Sequence, residues 1–253
     1  MISIAKELPP RFIKAIVLLT ALMGATTSIA ATLPTDKFDG KVSVVTEHWP
    51  PYNFLDEDDN LRGSATEKLR YILDNADLDY TIEVMPWVRA YALAKNQPNT
   101  LIYSIYRTEE RENLFHWFCP LAKSVPQYIF KLRNRHDIAL SNIKELKDLR
   151  IGVNRDAYAH QLLIKHGLKE HEHFSTTTDV SHFLPLLLKG RVDLIVDTKS
   201  GLQQKLDKLS LPYDTVETVL TLVDDMVCVA ANRQSDPQLL EALSKQFESN
   251  AAN

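Results

Sequence analysis

Ser104-Ile-Tyr-Arg-Thr-Glu-Glu-Arg111 carries the apolar run Thr100 to Ser104, which reads as a buried strand, into a charged loop that ends on an arginine. A second run, Gly190-Arg-Val-Asp-Leu-Ile-Val-Asp197, reads as an apolar strand that finishes on a carboxylate. In open α/β sheets, ligands sit just beyond the carboxyl ends of the strands. A cation fixed at one such end and an anion at another suit a small zwitterion. A guanidinium fork matches a carboxylate bidentately, and an acceptor-only aspartate suits an ammonium group. The competing reading places Arg111 and Asp197 in ordinary surface ion pairs.

Strand and helix patterns alternate around these two runs. Lys41 to Thr46 is β-rich, and Ser64-Ala-Thr-Glu67 has the form of a capping box ahead of Leu69, Ile72, Leu73 and Ala76 at helical spacing. Tyr80 to Val84 alternates as a strand, Pro86 suits the first turn of a helix through Ala94, and Thr100 to Ser104 is strand again. This β-α-β-α-β order predicts a parallel sheet with helical crossovers.

A second set follows the polar stretch Arg133 to Asp137. It comprises a strand at Arg150 to Val153 and a helix at Tyr158 to His166, stopped by Gly167. An Asp179-capped helix carrying Phe183, Leu184, Leu187 and Leu188 comes next, with Pro185 as a kink, and then a strand at Val192 to Val196. Gly201 to Lys208 reads as helix, and Asp236-Pro237 opens a last helix packed through Leu240, Leu243 and Phe247. The fold class is therefore α/β, with two sheet-and-helix units.

The chain has 253 residues, 45% hydrophobic and 25% charged, enough for two lobes that each bury a core. Lys6, Arg11 and Lys14 precede the apolar run Ala15 to Gly24, and Ser28-Ile29-Ala30 supplies small residues for a signal peptidase. Residues 1–30 read as a secretory signal cleaved after Ala30; the apolar run is short for a membrane span. Its removal takes three basic residues and one acidic residue from a chain whose net charge is already −4. No basic block remains, so no nucleic-acid footprint is expected. His171-Glu172-His173 lacks a third ligand at metal-site spacing and reads as a charged loop. No metal or cofactor is expected, and the chain carries no phosphate loop or nucleophile elbow.

The run Ser104 to Arg111, with Phe115 and Trp117 after it, resembles the arginine signature of bacterial extracellular solute-binding proteins, family 3. Val44-Val-Thr-Glu-His-Trp-Pro-Pro-Tyr-Asn-Phe54 is similar to that family's first strand and aromatic loop. Asn142 to Val153 resembles the opening of its second lobe, and Gly190 to Asp197 the strand that holds the ligand's amino group. The resemblance implies a type II periplasmic-binding fold: two lobes, each a mostly parallel sheet flanked by helices, joined by two hinge segments. It implies residues 31–124 plus 222–253 as a discontinuous first lobe and 125–221 as the second. It also brings Cys119 and Cys228 near the two antiparallel segments that join the lobes. In an oxidising compartment they then pair as a disulfide, or else remain two buried thiols.

Residue by residue, the resemblance gives Arg111 the ligand's α-carboxylate and Asp197 its α-amino group. Trp49 and Tyr52, beside Pro50 and Pro51, form a ligand wall or tuck into the core. Arg89 meets a second acid group or pairs with a glutamate, and Tyr106 lies on the Arg111 loop. Where family members place a small-residue loop that offers backbone N–H groups, this chain has Asn154-Arg155-Asp156-Ala157-Tyr158, which is bulkier. The function implied is a periplasmic, monomeric solute-binding protein for an amino acid or related zwitterion. It has no catalytic residue and docks on an inner-membrane permease of the ABC type. The rivals are an exported enzyme on the same fold, resembling cyclohexadienyl dehydratases with Glu47 as general acid, and a sensing module for a membrane receptor.

Overall fold

A computed structural model describes residues 38–123, 125–178 and 182–251. The expected signal segment 1–30, its cleavage point after Ala30 and the cap at Asp179 lie outside the described residues. The chain runs β1 (Lys41–Thr46), a short pair β2 (Phe54–Leu55) and β3 (Leu61–Arg62), α1 (Ser64–Asn75), β4 (Asp79–Val84), α2 (Trp87–Asn96), β5 (Thr100–Tyr106) and β6 (Phe115–Ala122). It continues through β7 (Gln127–Leu132), β8 (Ile151–Asn154), α3 (Tyr158–Lys165), β9 (Phe174–Thr177), α4 (Phe183–Leu188), β10 (Leu194–Asp197), α5 (Lys199–Lys208) and β11 (Val216–Val223). β12 (Val227–Asn232) and α6 (Pro237–Ala251) close the chain.

Two five-stranded sheets result, ordered β4-β1-β5-β12-β6 and β11-β7-β10-β8-β9. In the first, only β12 runs against the others. In the second, only β7 does. Each sheet is covered on both faces, as near-continuous apolar strands such as the wholly buried β5 require. Leu69, Ile72 and Leu73 of α1 join Leu239, Leu243 and Phe247 of α6 on one face of the first sheet. Trp87, Ala90, Tyr91 and Ala94 of α2 fill the other. In the second sheet, Ala159 and Leu163 of α3 pack on one side, and Phe183, Leu184, Leu187, Leu202 and Leu206 on the opposite one. α4 begins at Phe183, so Pro185 falls in its first turn, where a missing N–H breaks nothing, rather than at a mid-helix kink.

The chain crosses between sheets twice, from β6 to β7 and from β11 back to β12. A backbone bond from Val125 N–H to the Asp225 carbonyl (3.1 Å) ties the crossings together. Beside them Cys119 and Cys228 form a disulfide between the antiparallel β6 and β12.

The capping box does not form. The residue before α1 is Gly63, and no side chain caps it. Instead the first N–H groups of α1 donate to the aromatic loop: Ser64 to the Pro51 carbonyl, Ala65 and Thr66 to that of Tyr52. With those donors satisfied by backbone, a side-chain cap has nothing left to do. Gly63 has φ 119°, and a Cβ there would stand 2.3 Å from the Tyr52 carbonyl oxygen, so this contact needs glycine.

Candidate functional site

Four strands aim their carboxyl ends at one crevice between the sheets: β1 leads to Glu47, β5 ends at Tyr106, β8 at Asn154 and β10 at Asp197. A cavity of about 360 Å³ opens there. Glu47, His48, Trp49 and Pro50 line it from the first sheet. Gln127, Asn154, Ala157, Phe183, Leu184, Pro185, Asp197, Lys205 and Lys208 are among those that line it from the second. That size lies at the lower end of small-molecule pockets, which span roughly 300–1,000 Å³.

The loop after β1 is held by Asn53, which is fully buried. Its Nδ2 donates to Thr46 Oγ1 (2.9 Å) and to the Glu47 carbonyl (2.6 Å). Trp49 is thereby pressed against Tyr52 (ring centroids 5.4 Å) and Tyr106 (5.9 Å). Tyr106 in turn meets Tyr158 at the start of α3 (5.3 Å), so an aromatic row spans the crevice. The Tyr106 hydroxyl donates to the Val125 carbonyl at the crossing.

Glu47 sits at the centre of the charges. Asn154 Nδ2 reaches its Oε2 across the crevice at 3.5 Å. The Glu47 carboxyl is pushed up to about 7, chiefly by burial; Lys205 and Arg111 hold it down, and Asp197 adds to the rise. The neighbouring His48 is pushed below its ordinary value by burial and then by Lys208 and Lys205. It is neutral at neutral pH.

The two residues expected to grip a zwitterion are placed differently from one another. Asp197 lines the cavity, but its carboxylate is already engaged: Oδ1 accepts from Thr198 N–H (2.8 Å) and Oδ2 from Lys205 Nζ (2.6 Å). Arg111 does not line the cavity. Its side chain is 1% exposed, with the guanidinium carbon 5.2 Å from the centroids of both Trp87 and Tyr91. Nη1 donates to the Tyr106 carbonyl (3.2 Å) and Nη2 crosses the crevice to the Asp156 carbonyl (2.9 Å). Nε has no partner among the described residues. Burial works against the Arg111 charge, with Tyr91, Glu47 and Glu110 opposing that loss. Arginine stays charged even so.

Of the remaining expected residues, Trp49 and Asn154 line the cavity. Tyr52 and Tyr106 do not; both rings pack in the cluster at the crossing. Arg89 is exposed on α2 and stands outside the cavity, because that helix buries Trp87, Ala90 and Tyr91 instead. Lys205 and Lys208 escaped sequence reasoning, and Glu47 entered it only as an acid candidate. Their sole sequence signal is position: Glu47 directly follows a strand, and the lysines are three apart on a helix that follows another.

The family model for bacterial extracellular solute-binding proteins, family 3, matches residues 42–253. The chain belongs to that family. Among solved structures, a histidine kinase sensor domain with similarity to periplasmic binding proteins matches at 19% identity and TM-score 0.70, covering 83% of this chain and 90% of that one. An ancestral arginine-binding protein bound to glutamine matches at 20% identity and TM-score 0.70, over 85% and 94% of the two chains. The arginine-, lysine-, histidine-binding protein ArtJ of Geobacillus stearothermophilus matches at 16% identity and TM-score 0.69, over 84% and 90%. These likenesses establish the two-lobed fold that the family shares. Comparison with curated proteins found no match.

Proposed function

We propose that this chain is an exported periplasmic receptor that closes two lobes, residues 31–124 plus 222–253 and 125–221, over a small charged organic solute. The solute is an amino acid or a related acid, and the closed form is offered to an inner-membrane importer of the ABC type. The observation that carries this reading is the 360 Å³ cavity lined from both sheets, with ionisable groups at strand ends. Closure removes water from those groups and strengthens each contact with a bound charge. Asn154, Trp49 and Glu47 are the proposed contacts, and Asp197 meets a ligand cation only if that cation displaces Lys205. A ligand carboxylate reaches Arg111 only if it displaces the Asp156 carbonyl.

The test is native mass spectrometry of the protein as purified, followed by thermal melts against a panel of amino acids and small organic acids. One bound small molecule per chain, and a melting temperature that rises with its concentration, is the expected result. No co-purifying molecule and no shift from any panel member would remove the reading. Glu47, raised to about 7 inside the cavity, keeps an acid-catalytic reading in play. Recovery of the bound solute unchanged after prolonged incubation excludes it for that solute. The sensor-domain likeness makes a receptor partner the alternative to a permease; pull-down with each membrane protein separates the two.

A further inference from the structure

The engagement of Asp197 points to the kind of solute the cavity takes, given that it is a solute cavity at all. We propose that the α5 side of the cavity is an anion subsite formed by Lys205 and Lys208, and that its occupant is an organic acid with an apolar body and no cationic group.

The Asp197 carboxylate lies against the start of α5, which Thr198 caps, so closely that a Cβ on Gly201 would stand 2.7 Å from Oδ1. It also takes the Thr198 N–H and the Lys205 ammonium, and its side chain is only 8% exposed. A helix N-terminus, a backbone donor and a lysine together satisfy this anion from within its own sheet. An incoming ammonium or guanidinium must break the 2.6 Å ion pair before it meets the acid. The cations are in the opposite condition. Lys205 has three N–H donors and spends one on Asp197. Lys208, one turn further along α5, also lines the cavity, and its side chain has no hydrogen bond or ion pair among the described residues. Helix-dipole stabilisation explains a lysine in the last turn of α5. It does not explain two lysines on the cavity face.

The remaining walls suit an uncharged body. Phe183, Leu184, Pro185 and Trp49 also line the cavity. The balance of charge also favours an anion. Glu47, raised to about 7, is substantially protonated near neutrality, and His48 is neutral there, so the lining sets two lysines against Asp197 and a partly protonated Glu47.

Calorimetry on the full mature chain tests this with benzoate and hexanoate, their neutral amides benzamide and hexanamide, and arginine. At least one carboxylate is expected to bind, with its amide and arginine at least about tenfold weaker, as loss of a hydrogen bond to a charged group implies. Lys208→Met should weaken the carboxylate by a similar factor while circular dichroism stays unchanged. Lys205→Met frees Asp197 and should make arginine the better ligand. The anion subsite is overturned if arginine binds the wild type as tightly as either carboxylate, if neither carboxylate binds, or if Lys208→Met leaves carboxylate affinity unaltered. Binding of a cationic amino acid would end the inference yet preserve the receptor reading. Silence from every solute in both assays would end both.

Discussion

The two sheets bury opposite charges in different ways. In the second, Asp197 finds its counter-ion eight residues along its own chain, at Lys205, and the pair closes on itself. In the first, Arg111 has no ion pair among the described residues. It rests against two aromatic rings and two carbonyls, and one of those carbonyls, that of Asp156, belongs to the other side of the crevice. A charge neutralised within its own unit is indifferent to how the lobes stand. A charge satisfied partly from across the crevice is coupled to closure. In the proposed receptor the cleft is therefore asymmetric: the first lobe contributes a latch, and the second a self-contained ion pair with spare cationic donors.

The largest test of this contrast cuts the disulfide that fastens β6 to β12 in the first sheet, where the chain leaves for the second sheet and returns. The Cys119–Cys228 disulfide spans a sequence separation of 109 and closes a loop that contains the whole second sheet. Replacing both cysteines by alanine should lower unfolding free energy by about 4 kcal/mol, read from the urea midpoint under oxidising conditions. An unchanged midpoint would show that the second sheet unfolds independently of the strap.

Arg111→Met comes next. It keeps apolar bulk near Trp87 and Tyr91 but strands two buried carbonyl acceptors, so stability should fall by about 3 kcal/mol. Because one acceptor lies across the crevice, the variant should also scatter X-rays as a more open particle. A compact particle of wild-type radius would break the latch assignment.

Glu47→Gln sharpens the comparison through pH. The folded-state pKa of about 7 lies above the ordinary carboxylate value of 4.5, so the folded protein holds this proton longer than the unfolded chain does. Stability owed to this group is intact below pH 4.5, falls as pH rises from 4.5 to 7, and is level above that. Glutamine removes the slope, so the variant should gain about 3 kcal/mol over wild type at pH 8 and little at pH 4. Parallel melting curves against pH for the two proteins would contradict the burial of this carboxyl.

Lys165→Ala should matter least. Lys165 reaches Glu109 (3.0 Å) and Glu110 (3.3 Å) across the crevice, but all three side chains are substantially exposed. The expected loss is under about 0.5 kcal/mol and should vanish in high salt.

How much of this was legible in advance follows from the range over which each feature is decided. The periodicities of Leu69, Ile72 and Leu73, and of Leu243 and Phe247, sit on one helix face each, so α1 and α6 could be read locally. The strand ends at Asn154 and Asp197 were equally readable, because an apolar run that stops on a polar residue marks its own boundary. The capping box was misread because its rival acceptors, the Pro51 and Tyr52 carbonyls, lie a dozen residues away in the aromatic loop.

Sequence by itself determined the alternation of strands and helices, the two sheet units, the family and the presence of a cation and an anion at strand ends. Hydrophobic periodicity and turn chemistry act over a few residues, and those features need nothing more. Only the tertiary structure decided where the charges face. The Arg111 guanidinium follows the rings of Trp87 and Tyr91 on a separate helix and a carbonyl from the opposite sheet. Lys205 meets Asp197 because helical side chains lean toward the N-terminus of their helix, and α5 starts directly beyond that carboxylate. Such directions depend on the packing of elements distant in the chain, which no local pattern encodes.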